Sequence, residues 1–201
     1  MTRRSQIVTS LILAAITLTT AALLSISANG DHHAADEKAP PKAGQVAKDF
    51  TLKNVDGADV KLSAITAKSN VALIFMRGFP GYQCPICNRQ FGELLTNAEK
   101  IAEAGGSVVL IYPGAIANLD EKAKEFIRGR SMPENFFFLI DPDYSSVNAY
   151  NIRWDAPNET AYPSTFIMDS ERKVSFAKVS DGHGGRTNAS QVIDELKKIQ
   201  D

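Results

Sequence analysis

The sequence predicts an α/β fold: a central mixed β-sheet flanked by helices on both faces, with an N-terminal β-hairpin extension. Three observations predict it. Two unbroken apolar runs, Val71-Ala72-Leu73-Ile74-Phe75-Met76 and Ser107-Val108-Val109-Leu110-Ile111-Tyr112, read as buried strands. Between them lies a helical pattern, with Phe91, Leu94, Leu95, Ala98, Ile101 and Ala102 on one face. Strand, helix, strand is a parallel crossover, right-handed in nearly all cases. Finally, residues 164–169 and 173–179 form a hairpin turning at Ser170-Glu171-Arg172, which adds antiparallel pairing and makes the sheet mixed.

Residues 1–30 read as a signal peptide. Arg3 and Arg4 form the basic start, residues 7–26 carry no charge, and small residues follow. That apolar stretch is long, so an uncleaved membrane anchor competes with the cleaved peptide. Either reading predicts an exported domain, periplasmic or otherwise extracytoplasmic. Residues 31–43 are polar with two prolines and read as a flexible linker, leaving 44–201 as the folded domain.

Within that domain, residues 49–55 alternate as a strand would, Asp56-Gly57 turns the chain, and residues 59–63 return. A helix is expected over 84–104, stopped by Gly105-Gly106. Leu119, Ala123, Phe126 and Ile127 mark a further helix over about 118–129. Phe136-Phe137-Phe138-Leu139-Ile140 is apolar on both faces, as in a central strand, and Asp141-Pro142 ends it. A short helix follows at 144–150, then a loop over 155–162 and the hairpin. Residues 181–186 form a glycine-rich flexible loop, and Val192, Ile193, Leu196 and Ile199 face inward from a last helix over 190–199.

The chemistry gathers where the strand at 71–76 meets the helix at 84. Both cysteines of the chain lie there, as Cys84-Pro85-Ile86-Cys87. Pro85 suits a first helical turn, where no backbone donor is missed. The free N–H groups and partial positive charge of a helix start favour a thiolate, and cysteines so placed have pKa values of roughly 3.5–7.5. Cys84 is therefore the candidate nucleophile. Cys87, about one turn along, can close a disulfide on it. A zinc site needs two more ligands; His32 and His33 lie in the polar tail, and only His183 belongs to the domain. A purely structural bridge closing so short a loop would constrain the unfolded chain little. A net charge of -1 without a basic stripe argues against a nucleic-acid partner, and no cofactor is expected.

These residues resemble a family. A Cys-Pro-x-Cys opening a long helix resembles thioredoxin. The longer pattern is similar to peroxiredoxins of the alkyl hydroperoxide reductase/thiol-specific antioxidant family: Gly44-Gln45-Val46-Ala47-Lys48-Asp49-Phe50-Thr51-Leu52 with Asp56-Gly57, and Asp141-Pro142 followed by Ala149-Tyr150-Asn151-Ile152. Tyr162-Pro163-Ser164-Thr165-Phe166-Ile167-Met168-Asp169 resembles the matching strand of thioredoxin-like reductases tethered at bacterial membranes. The resemblance covers about residues 44–200 and implies a thioredoxin-like fold. Two positions depart from the peroxidatic pattern. Gly81 stands where the family has Thr or Ser, and Pro163 stands where it has an Arg.

The resemblance implies an antioxidant peroxidase, in which a peroxide oxidises Cys84, Cys87 closes the disulfide, and a thioredoxin-like donor reduces it. Arg77 is expected to supply the missing positive charge, and Tyr82 to pack over the cysteines or donate to a peroxide oxygen. Pro163, beside the cysteines, supports the alternative of an exported disulfide reductase acting on proteins. A third alternative is a copper-binding module with Cys84, Cys87 and His183 as ligands. Arg153 is a weaker candidate for the site.

Overall fold

The structure, a computed structural model, describes residues 38–115 and 117–200. The leader expected at 1–30 and the first part of the expected linker, 31–37, lie outside the described residues. Among those described, no helix is long and apolar enough to cross a membrane.

Seven strands are described: β1 Thr51–Asn54, β2 Asp59–Lys61, β3 Asn70–Phe75, β4 Gly106–Pro113, β5 Phe136–Asp141, β6 Ser164–Met168 and β7 Val174–Val179. They form one sheet in the order β2-β1-β5-β4-β3-β6-β7. The middle three, β5, β4 and β3, run parallel, and a hairpin is added antiparallel at each edge. The mixed sheet expected from the sequence is thus present.

The helices are α1 Leu62–Thr66, α2 Pro85–Thr96, α3 Ala98–Glu103, α4 Leu119–Ile127, α5 Ser145–Ala149 and α6 Ala189–Lys197. Parallel strands covered on both faces must be apolar on both, which is why β3 and β4 read as unbroken runs. Val108, Leu110 and Tyr112 of β4 join one core with Phe91, Ile101, Phe126 and Leu196 from α2, α3, α4 and α6. Val109 and Ile111 join the other with Leu62, Val147, Tyr150 and Phe166. In the first core Phe126 and Phe138 each pack against Phe91 and Tyr112 and against each other, with ring centroids 5.3–5.8 Å apart. Such pairs contribute about 0.5–1.5 kcal/mol each beyond their burial, and this cluster seats α2 firmly under the cysteines.

Three expectations change. The helix predicted over 84–104 is two helices, broken at Asn97 (φ −106°, ψ 17°). Thr96 and Asn97 donate side-chain hydrogen bonds to the carbonyls of Gly92 and Glu93, both at 2.9 Å. Short polar side chains compete in this way with the helical ladder. The returning strand stops at Lys61, because Ser63 N–H donates to the Asp49 carboxylate (2.9 Å) and the chain turns into α1. The described end of the linker is tied to the domain: Ala39 O accepts from Asn151 (3.1 Å), and Gly44 N–H donates to Val174 O (2.8 Å).

Candidate active site

Leaving β3, the chain must cross the end of β4 to start α2. Gly78 makes this possible. It has φ +65°, and a β-carbon there would run into the carbonyl oxygen of Pro113. Phe79 N–H then donates to that same oxygen (2.8 Å). Gln83 is anchored twice, accepting from the Tyr112 hydroxyl (2.7 Å) and donating to Lys122 O (2.9 Å). Cys84 is thereby delivered to the cap position of α2 in extended backbone (φ −70°, ψ 113°), with Pro85 as the first helical residue.

Both sulfurs are covered: Cys84 is 2% exposed and Cys87 0%. Neither is in a disulfide in this structure. Cys84 Sγ accepts from the backbone N–H of Cys87 at 3.4 Å. The Cys87 side chain also donates to it and is the largest influence on its pKa. Burial opposes this, while the Cys87 amide, the Arg186 charge and the Ile86 amide assist. The outcome is a Cys84 pKa lowered from 9.0 to about 5. Cys87 moves the other way. Burial pushes its thiol well up, and the hydrogen bond it gives to Cys84 pushes it further. One cysteine is set as thiolate and the other as thiol.

The cation at the pair is Arg186, from the loop before α6. Its Nη1 donates to Cys87 Sγ (3.4 Å) and Gln90 Oε1 (3.1 Å), and its Nε to His183 O (3.0 Å). Sequence reasoning passed over it. Its only local mark is an arginine closing the glycine-rich run 182–185, and folding brings it across 99 residues to Cys87.

Arg77 was expected to charge the site, and the structure directs its guanidinium elsewhere. It is 4% exposed and makes a two-point pair with Glu159 (2.6 and 3.0 Å), with further bonds to the Tyr82 hydroxyl and Asn158 O. Burial works against the Arg77 charge, and the bonds to Glu159 and Tyr82 override it, raising its pKa. Glu159, also unforeseen, has its pKa lowered: burial opposes, and the bonds from Arg77 and His183 prevail.

Tyr82 is 48% exposed, with the Arg77 guanidinium 5.1 Å from its ring centroid and bonded to its hydroxyl. Pro163 is buried and precedes Ser164, which pairs with Phe75, so it lies at the same end of the sheet as Arg77. Arg153 donates to the Glu159 carbonyl (3.2 Å) and lies over the Tyr144 ring (4.1 Å). His183 bonds Glu159 (2.8 Å) rather than joining the sulfurs as the copper expectation required. Among the described residues, no three His, Cys, Asp or Glu side chains gather as metal ligands.

A sequence profile of the AhpC/TSA family matches residues 43–177. No curated protein matches the chain. Among solved structures, it is similar to the peroxidoxin BcpB from Mycobacterium tuberculosis, with 20% identity, a TM-score of 0.63, and 80% of this chain and 99% of that one covered. It is also similar to the mitochondrial 2-Cys peroxiredoxin of Plasmodium falciparum (20% identity, TM-score 0.61, 79% and 94% covered). A third is described as a thiol:disulfide interchange protein, DsbE, from Chlorobium tepidum (24%, 0.57, 79% and 96%). At these identities the likeness shows the thioredoxin-like fold.

Proposed function

The chain belongs to the AhpC/TSA family and is an oxidoreductase, and from that premise we propose that it reduces peroxides through a thiol–disulfide cycle on Cys84 and Cys87. Cys84 thiolate attacks the peroxide: an S–O bond forms, the O–O bond breaks, and the departing alkoxide or hydroxide takes a proton. Cys87 condenses with the sulfenic acid, expelling water and leaving a disulfide, which a thioredoxin-like dithiol reduces. The observation that carries the cycle is the geometry of the pair: Cys84 caps α2 and accepts the Cys87 backbone N–H, with the buried Cys87 one turn along, and the lowered Cys84 and raised Cys87 pKa support their separate roles.

A second reading, a disulfide reductase acting on protein substrates, is favoured by two observations. Arg77 is spent on Glu159, and Gly81 (φ +111°) brings no hydroxyl to the sulfur. Parallel single-turnover measurements on reduced protein, with hydrogen peroxide and with a small protein disulfide, separate the two. Peroxide is expected to consume Cys84 far faster than it consumes a free thiol. A rate no better than a free thiol, with rapid disulfide reduction, replaces the first reading by the second.

The charge-free run at 7–26 behind Arg3 and Arg4 supports placing this cycle outside the cytoplasm. Fractionation of cells making the full chain should recover it in the extracytoplasmic or membrane fraction, and recovery in the cytosol alone counts against export.

A further inference from the structure

We propose that Arg186 is the positioning residue for Cys87, holding the buried sulfur as a thiolate once Cys84 has reacted, so that it governs disulfide closure more than the first attack. This rests on the cycle proposed above, though not on which substrate starts it.

The guanidinium is clamped. Nη1 bridges Cys87 Sγ and Gln90 Oε1, and Nε holds the His183 carbonyl. Gln90 is itself buried and fixed by donating to Thr187 O (3.0 Å). Nη2 is buried with no hydrogen-bond partner, so donor capacity is left over beside the sulfur. The other groups that bear on Cys87 offer no base. Cys84, which takes the Cys87 hydrogen bond at rest, is by then the atom under attack and no longer an anion. Tyr112, from β4, is kept a neutral phenol by burial and gives its hydroxyl to Gln83. Arg77 presents its backbone from the end of β3, its charge being taken by Glu159. The carboxylates around the site are committed as well, Glu93 to Ala189 N–H (2.9 Å) and Glu159 to Arg77 and His183.

The arrangement also sets an order of events. While Cys84 is an anion, it takes the Cys87 hydrogen bond, and a second negative charge beside it is opposed. Conversion of Cys84 to a sulfenic acid or a mixed disulfide removes that charge. Arg186 then faces a neutral pair, and ionising Cys87 turns the existing Nη1–Sγ hydrogen bond into one between opposite charges. The proton leaves to water; Arg186 lines a surface cavity of about 250 Å³ with Arg89, Gln90 and Glu93. Cys87 thiolate attacks Cys84 Sγ, the S–S bond forms, and the S–O or foreign S–S bond breaks. The departing hydroxide or thiolate takes up a proton, so closure releases water or a thiol.

The test loads Cys84 of the full chain with thionitrobenzoate and follows release of the chromophore as Cys87 attacks, over a range of pH. Because the reagent loads the cysteine chemically, the test stands even if peroxide proves not to be the substrate. Arg186→Gln keeps hydrogen-bond donors and loses the charge. It is expected to slow release at neutral pH about tenfold and to move the pH profile up by about one unit, the equivalent free energy. Alkylation of Cys84 in the reduced variant should fall by less, and Arg186→Lys should restore much of the release rate. Arg186→Met is read in the same way should Arg186→Gln fail to fold. An unchanged release rate and profile overturns the proposal. So does equal slowing in the Lys and Gln variants without a shift in profile, which would make Arg186 a packing residue.

Discussion

Cys84→Ser is expected to lower peroxide or disulfide turnover by roughly 10³-fold or more, the scale seen when a nucleophile is removed. Both readings of the substrate begin with an ionised sulfur at this position, and a serine hydroxyl stays protonated under any condition the fold survives. The fold itself should hold. Serine is a preferred residue at a helix cap, and its oxygen can accept the Cys87 N–H that the sulfur accepts now. An unchanged melting transition beside lost turnover would therefore assign the loss to chemistry. Cys87→Ser should behave differently, permitting one attack by Cys84 and then stalling with Cys84 oxidised or joined to its substrate. Substantial turnover by Cys84→Ser, or normal cycling by Cys87→Ser, contradicts the assignment of roles.

Glu159→Gln is expected to cost about 3–5 kcal/mol of stability, the penalty for removing one partner from a buried ion pair. The side chains of Arg77 and Glu159 are 5% and 10% exposed. Arg77 cannot shed its proton, so the variant leaves a desolvated cation with a neutral partner. The loss would be felt at the site, because Thr160 hydroxyl donates to the Arg77 carbonyl and Tyr82 hangs on its guanidinium. Urea unfolding measures it. Replacing both partners, as Arg77→Met with Glu159→Leu, should recover most of the stability, since apolar residues of similar volume satisfy a buried site without paired charges. A change below about 1 kcal/mol in the single variant would mean that the pair behaves as a surface one.

Local spacing and the β3–β4 crossover were legible in the sequence, and long-range side-chain pairing was not. The apolar runs of β3 and β4 announced buried parallel strands because both faces of such strands are covered. Cys84 and Cys87 announced themselves because three residues along one helical turn are close in any helix. The break at Asn97 was hidden, since the apolar periodicity continues through it and only the side-chain bonds of Thr96 and Asn97 interrupt the ladder. Arg77 illustrates the harder failure. Its place beside the cysteines suggested a charge for the site, but a sequence does not say which carboxylate an arginine will meet. Glu159, 82 residues on, takes it. Arg186 is the converse, unremarkable in its loop and decisive in space, because α6 docks beside α2 and carries the preceding loop to Cys87.

The most direct test of the account is the pH dependence of Cys84 alkylation by a small iodoacetamide, read site by site from peptide masses in the reduced wild-type protein. The reactive form should rise through a midpoint of about 5, not 9.0, and Cys87→Ala should move the midpoint upward, because the Cys87 thiol is the largest cause of the shift. The same lowering implies that the stability Cys84 contributes is complete above its unfolded value of 9.0 and is lost as pH falls through about 5. A midpoint near 9.0 for Cys84, with Cys87 ionising at the lower pH, contradicts the division of labour between the two sulfurs on which the mechanism stands.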